Sequence, residues 1–210
     1  MSRTLHTTHK TLGLLALSAL LASPLLANSV MAAPAPQNQG YSGWSWSAHV
    51  GNLNIDSKVA KSQGIDDSAW VIGAAAERYS SDSILTYVLG VDFIGYGDNY
   101  SFSQDTNKGE KSSDASAVMA YAEFGPKVSF GKDKLNYFVA HAGVSGILSS
   151  ERGIGYCTNC YSEDIEVDGG LYGVLGVGHS FSRFDLGLQF QQYFSGDFDN
   201  SLRLRISSSF

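Results

Sequence analysis

The chain has 210 residues, enough for one ordinary domain, with 16% charged, 43% hydrophobic and 12% aromatic residues and a formal net charge of −6. That many aromatics beside so little charge excludes a disordered polar chain. The acidic balance, with a pI near 5.2, argues against a nucleic-acid binder, which carries a basic surface.

The first residues are basic and polar, with Arg3 and Lys10. An apolar run from Leu12 to Ala27 follows, broken by Pro24, and small residues then lead to Val30-Met31-Ala32-Ala33. This is the three-part plan of a secretory signal peptide, residues 1–32, with the cut expected after Ala32 and Ala27 as the weaker option. The apolar stretch is short and proline-broken for a membrane helix of about 20 residues. No cysteine follows the cut, which argues against a lipid anchor. Loss of Arg3 and Lys10 leaves 12 basic and 20 acidic side chains, a net −8. Residues 33–43 read as a flexible Pro/Gln/Gly-rich linker.

From Trp44 the apolar residues recur with period two, the strand signature. The expected strands span 44–53, 69–79, 84–96, 116–130, 135–148, 167–181, 183–194 and 201–210. In the first, Trp44, Trp46, Ala48 and Val50 share one face and Ser45, Ser47, His49 and Gly51 the other. The second sets Trp70, Ile72, Ala74 and Ala76 against Gly73, Ala75 and Glu77. The third sets Leu85, Tyr87, Leu89, Val91 and Phe93 against Thr86, Gly90 and Asp92. The fourth opposes Val118, Ala120, Ala122, Phe124, Val128 and Phe130 to Tyr121, Glu123 and Lys127. The fifth opposes Phe138, Ala140, Ala142, Val144 and Leu148 to Tyr137, His141, Gly143 and Ser145. The sixth is glycine-rich, with Leu171, Leu175 and Val177 on one face. The seventh opposes Phe184, Leu186, Leu188 and Phe190 to Asp185, Gly187, Gln189 and Gln191. The eighth opposes Leu202, Leu204, Ile206 and Phe210 to Arg203, Arg205, Ser207 and Ser209. Pro126, inside the fourth strand, requires a bulge or a position that needs no ladder donor.

Short turns (Ser80–Ser83, Gly131–Lys134, Ser180–Arg183) alternate with long polar loops near 54–67, 97–114 and 149–166; the last connection, Ser195–Asn200, is shorter. After the leader there is no apolar run long enough for a membrane helix. A polar face carrying Glu77, Asp92, Glu123, Lys127, Asp185, Arg203, Arg205, His49 and His141 holds too much charge for a dry core, where unpaired ions are very costly. It suits the interior of a small membrane barrel, with the apolar face turned to lipid and the strands closed because hydrocarbon tolerates no open edge. The reading is therefore an all-β fold: a closed eight-stranded antiparallel up-and-down transmembrane β-barrel over 44–210. Aromatics cluster near strand ends: Trp44, Trp46, Phe130, Phe181, Phe184 and Phe210 on the short-turn side; Trp70, Phe93, Tyr96 and Phe194 on the other. They predict two interfacial bands.

On these features the chain resembles the small eight-stranded outer-membrane barrels of the OmpA/OmpX type. The last strand, SLRLRISSSF, is similar to the signal read by the barrel-assembly machinery, with Leu202, Leu204, Ile206 and Phe210 at the matching positions. The resemblance implies an outer-membrane location, a monomer, contact with outer-membrane lipid and lipopolysaccharide, and the assembly machinery as a partner during biogenesis. It implies surface loops that act in adhesion, in resistance to host factors or in envelope integrity, through an extracellular partner that the sequence does not name. No further domain is expected after Phe210.

Cys157 and Cys160 form a C-T-N-C motif in a polar loop. A redox CxxC opens a helix, and two cysteines are half a zinc site. On an export route a loop disulfide is the plain reading. No metal and no cofactor are expected. Candidate hydroxyl–histidine pairs fail on spacing or face: His179 and Ser180 point to opposite faces, His141 and Ser145 are four residues apart, and Ser47 and His49 face inward. The acidic loops (Asp98, Asp105, Glu110, Asp114; Glu151, Glu163, Asp164, Glu166, Asp168) outweigh Lys108, Lys111 and Arg152 and read as solvated surface. Eight strands enclose a lumen that side chains fill, which disfavours a general pore. The expectation is a non-enzymatic barrel that binds no nucleic acid. A lipid-modifying enzyme (a lipid A deacylase or acyltransferase) and a soluble periplasmic ligand-binding barrel are the alternatives.

Overall fold

The structure, a computed structural model, describes residues 43–80, 83–106, 109–154 and 160–208. The expected signal peptide, its cleavage site and all of the linker but Gly43 lie outside the described residues, as do Cys157 and Phe210. The elements in chain order are β1 (Gly43–Ile55), α1 (Ser57–Gln63), β2 (Ile65–Ser80), β3 (Ser83–Asp98), β4 (Ser103–Thr106), β5 (Gly109–Ser112), β6 (Asp114–Phe130), β7 (Asn136–Gly153), β8 (Ser162–Asp164), β9 (Leu171–Ser180), β10 (Asp185–Tyr193) and β11 (Phe198–Ser208).

The eight long strands β1, β2, β3, β6, β7, β9, β10 and β11 each pair antiparallel with the next in the chain, and β11 returns to β1. Val50 faces Leu204 across that closing seam, and His49 faces Arg205. The result is a closed eight-stranded up-and-down barrel, as the alternating pattern predicts. β4 and β5 form a separate hairpin, and β8 lies along the end of β7. Short connections at 81–82, 131–135 and 181–184 mark one end, the turn end; the longer connections gather at the other, the loop end.

Because side chains alternate across a strand, one set must face out. The outward set is apolar: Trp46, Val50, Ile72, Leu89, Val91, Leu175, Leu188, Leu202 and Leu204 are all exposed on the outer wall. Pro126 sits opposite Leu85 of β3, while the ladder to β7 skips from the Phe124–Ala142 pair to the Lys127–Val139 pair at unchanged register. The missing proline donor therefore falls where no ladder bond is made.

Three expectations change. The polar residues of the interior concentrate in its turn-end half. Towards the loop end the same inward face carries Leu53, Val71, Ile94, Ala117, Met119, Val174 and Phe198, all buried in one cluster. The strands run further than the apolar outer pattern indicated: β6 begins at Asp114 and β7 continues to Gly153, whereas β9 begins only at Leu171. Tyr96 belongs to neither aromatic band. It shares the inward parity of Asp92 and Ile94 and is buried in the loop-end cluster. β7 also carries a bulge at Leu148, where Val118 pairs with Ser149 and Met119 with Ile147, so Leu148 stands out of the ladder. Inward glycines supply room: a Cβ on Gly73 would strike Asp92 and the His49 ring, and one on Gly90 would strike the Tyr121 ring.

Candidate functional site

Two constellations stand out, an ionic network inside the barrel and a tied set of loops above it. The network begins at the turn end. Lys127 Nζ lies 2.6 Å from Asp185 Oδ2 and 4.2 Å from the Tyr137 ring centroid, and it donates to Tyr79 Oη at 3.2 Å. Tyr79 in turn donates to Glu77, which also pairs with Arg205. Arg205 Nη2 donates to Ser47 Oγ at 2.8 Å, and Arg205 Nη1 lies 3.9 Å from Glu123 Oε2. Glu123 accepts from Tyr172 Oη at 3.1 Å and from Gln191 Nε2 at 3.3 Å. One layer further in, Arg203 Nη2 pairs with Asp92 Oδ2 at 2.8 Å, and His49 Nε2 lies 2.9 Å from Asp92 Oδ1. The structure thus brings together Glu77, Asp92, Glu123, Lys127, Arg203 and Arg205, contributed by four different strands. Opposite charges within hydrogen-bonding reach are what make such burial tolerable.

A hydroxyl, an imidazole and a carboxylate do line up here. Thr86 Oγ1 is 2.8 Å from His141 Nε2, and His141 Nδ1 is 3.3 Å from Glu123 Oε2. Pairwise reading within single strands missed Thr86, because the three residues come from β3, β6 and β7. The Thr86 hydroxyl also lies 3.0 Å from the Gly125 carbonyl, a second acceptor for its one proton, and all three side chains are buried. Among the pairs considered from sequence, Ser47 binds Arg205, Ser145 exchanges hydrogen bonds with Gly170, and His179 contacts Asn136 at 2.9 Å.

The loop end is organised around Arg152, whose side chain is 1% exposed. Its Nε donates to Asp98 Oδ1 at 2.6 Å, and its Nη2 donates to the carbonyls of Gln63 and Gly64 at 2.9 and 3.2 Å. Its Nη1 lies 3.5 Å from Glu163 Oε2. One guanidinium thus ties β7 to the end of β3, the C-terminus of α1 and β8. The helix exists because Asp56 caps its start, accepting from Lys58 N at 2.9 Å, and Gly64 ends it at φ 65°. Further ties are Glu166 N to Gln63 Oε1 at 2.9 Å, Asp168 N to Asp197 Oδ2 at 2.8 Å and Asp56 N to the Asp197 carbonyl at 2.8 Å. Ile55, Ala60, Ile65, Ile165 and Val167 are buried beneath these ties. The expectation of a wholly solvated acidic surface is corrected here: Asp98 and Arg152 form a buried pair, whereas Glu163, Asp164 and Glu166 are exposed. Sequence spacing could not show this, because Asp98 and Arg152 are 54 residues apart.

On the outer wall, Trp44, Trp46, Phe130, Phe181 and Phe184 are exposed at the turn end, and Trp70, Phe93 and Phe194 at the loop end. Leu202, Leu204 and Ile206 of β11 face outward, between Arg203 and Arg205, which face in. Cys160 is disulfide-bonded. Among the described residues, no group of three or more His, Cys, Asp or Glu side chains could hold a metal ion.

No family model matches the sequence, and no curated protein matches it. Among solved structures, the chain is similar to the crystal structure of Neisserial surface protein A (NspA). The identity is 10% and the TM-score 0.46, over 80% of this chain and 96% of that one.

Proposed function

We propose that this chain is a small integral outer-membrane β-barrel protein of a Gram-negative-type envelope. Its lumen is a packed core without catalytic or channel function, and its tied loops present an interaction surface outside the cell. The observation that carries this reading is the inversion of polarity across the barrel wall. Arg203 and Asp92 are buried in the lumen, while Leu202 and Leu204, next to Arg203 in the strand, are exposed outside. A soluble barrel would put the leucines inside, because exposed apolar surface is costly in water and buried charge is costlier still. A girdle of outward apolar side chains bounded by aromatic bands fits a bilayer. The turn end then faces the periplasm, and the loop cap faces outward, where adhesion or resistance to host factors is exercised.

The test is gel mobility of the protein from purified outer membranes, with and without boiling in SDS. The folded barrel resists cold SDS and shifts on boiling, and the protein stays in the pellet after carbonate washing. Recovery in the soluble periplasmic fraction with no mobility shift would overturn the reading in favour of a soluble ligand-binding barrel. The packed lumen makes a second prediction. In planar bilayers the purified protein leaves the current at baseline, because Met119, Ile94 and Val174 close the loop-end half. Stepwise conductance would show that the plug opens.

A further inference from the structure

The outer wall is not uniformly convex. A shallow groove of about 820 Å³ crosses it, walled by Trp44, Tyr87, Phe124 and Leu171 and floored by Ala122 and Ala142. The register explains its course. Trp44, Arg78, Tyr87, Phe124 and Ala142 form one cross-strand row, and Leu89, Ala122, Val144 and Leu171 form the next. Small side chains on β6 and β7 set the floor back from the rings beside it. Arg78 lies near the end of β2 at the turn end, whereas Leu171 begins β9 at the loop end, so the groove climbs the wall obliquely. From β2 to β9 it spans four strand spacings of about 4.8 Å, roughly 19 Å. One leaflet of a hydrocarbon core is about 15 Å deep.

The groove has one charged lining side chain on the outer wall, Arg78, which is exposed and lies over the Trp44 ring at 6.0 Å. Among the described outward strand positions from the turn-end aromatic band to the loop-end one it is the sole charge, and no carboxylate among the described residues pairs with it. A cation at the interface end of an apolar groove matches a lipid that carries a phosphate at one end and a chain of that length behind it. We propose that this groove binds an anionic glycerophospholipid of the turn-end leaflet, with its phosphate on Arg78 and one acyl chain along Ala122 and Ala142. A second copy of the barrel is the poorer occupant, because it would press an unpaired Arg78 against apolar wall. The proposal rests on the transmembrane reading above.

The test uses the membrane-purified protein, its folded state first verified by the boiling-dependent gel shift. It is reconstituted in equal mixtures of phosphatidylglycerol and phosphatidylcholine, and the lipid that remains bound after detergent extraction is weighed by native mass spectrometry. Phosphatidylglycerol should be retained over phosphatidylcholine by about fivefold, the worth of one interfacial cation. Arg78→Gln should abolish that preference and Arg78→Lys should keep most of it. Ala122→Phe, which fills the floor, should lower retention of both lipids while leaving the gel shift intact. Equal retention of the two lipids by the natural protein, or a preference that survives Arg78→Gln, overturns the site and leaves only annular lipid. A dimer that Ala122→Phe dissociates overturns it in favour of a second copy. A protein with no gel shift fails the transmembrane reading itself, and the lipid site with it.

Discussion

Arg203→Met should destabilise the barrel by about 3–5 kcal/mol, read as a lowered urea midpoint for unfolding from lipid vesicles. The guanidinium is 2% exposed and pairs with an Asp92 carboxylate that is fully buried. Removing the cation leaves that carboxylate with the His49 imidazole, 2.9 Å away, as its one remaining partner within ion-pair reach, and an uncompensated buried charge is far costlier than the pair is valuable. The diagnostic comparison is therefore the double variant. Asp92→Asn added to Arg203→Met removes the orphaned charge and keeps a polar side chain beside His49. It should recover more than half of the loss. A double variant no more stable than Arg203→Met alone would show that lost packing of the long side chain, and not the stranded charge, sets the cost.

Arg152→Ala should release the loop cap and spare the barrel. The side chain serves Asp98, two helix-end carbonyls and Glu163 at once, so its removal takes the charged partner from a nearly buried carboxylate and a donor from the C-terminal end of α1 together. Trypsin cleavage after Lys58 and Lys61 should accelerate by at least about tenfold, the factor given by 1.4 kcal/mol of lost local stability. The boiling-dependent gel shift should stay unchanged, because the eight-strand ladder does not depend on the cap. Arg152→Lys should fall between, since an ammonium can reach Asp98 but cannot fork to both carbonyls. Equal cleavage rates in all three proteins would mean that the buried cluster of Ile55, Ile65, Ile165 and Val167 alone holds the loops down. Any loop-mediated binding partner should lose affinity for Arg152→Ala in the same order, through disorder of the surface it recognises.

The closed barrel was legible because a two-residue period survives any context. A strand has only two faces, so Leu202-Arg203-Leu204-Arg205 on one strand and Phe184-Asp185-Leu186 on another already divide the wall into an outer side and a lumen side. Tyr96 follows the same arithmetic: close to Phe93 in sequence but of opposite parity, it faces inward and belongs to neither aromatic band. The apolar loop-end plug was hidden for a related reason. Where Val71 and Met119 face inward, their neighbours Trp70, Ile72, Val118 and Ala120 on the opposite face are apolar too, and alternation no longer distinguishes the faces.

The sequence by itself determined the class of the fold, the direction of its faces and the charged side chains that would meet inside. Each of these follows from local backbone geometry, which fixes where a side chain points whatever the rest of the chain does. Only the tertiary structure decided which charge meets which. Arg203 finds Asp92 across 111 residues, Arg152 finds Asp98 across 54, and Thr86 finds His141 across 55. Such pairings depend on strand register and on the closing seam between β1 and β11, and register is a property of the whole closed sheet.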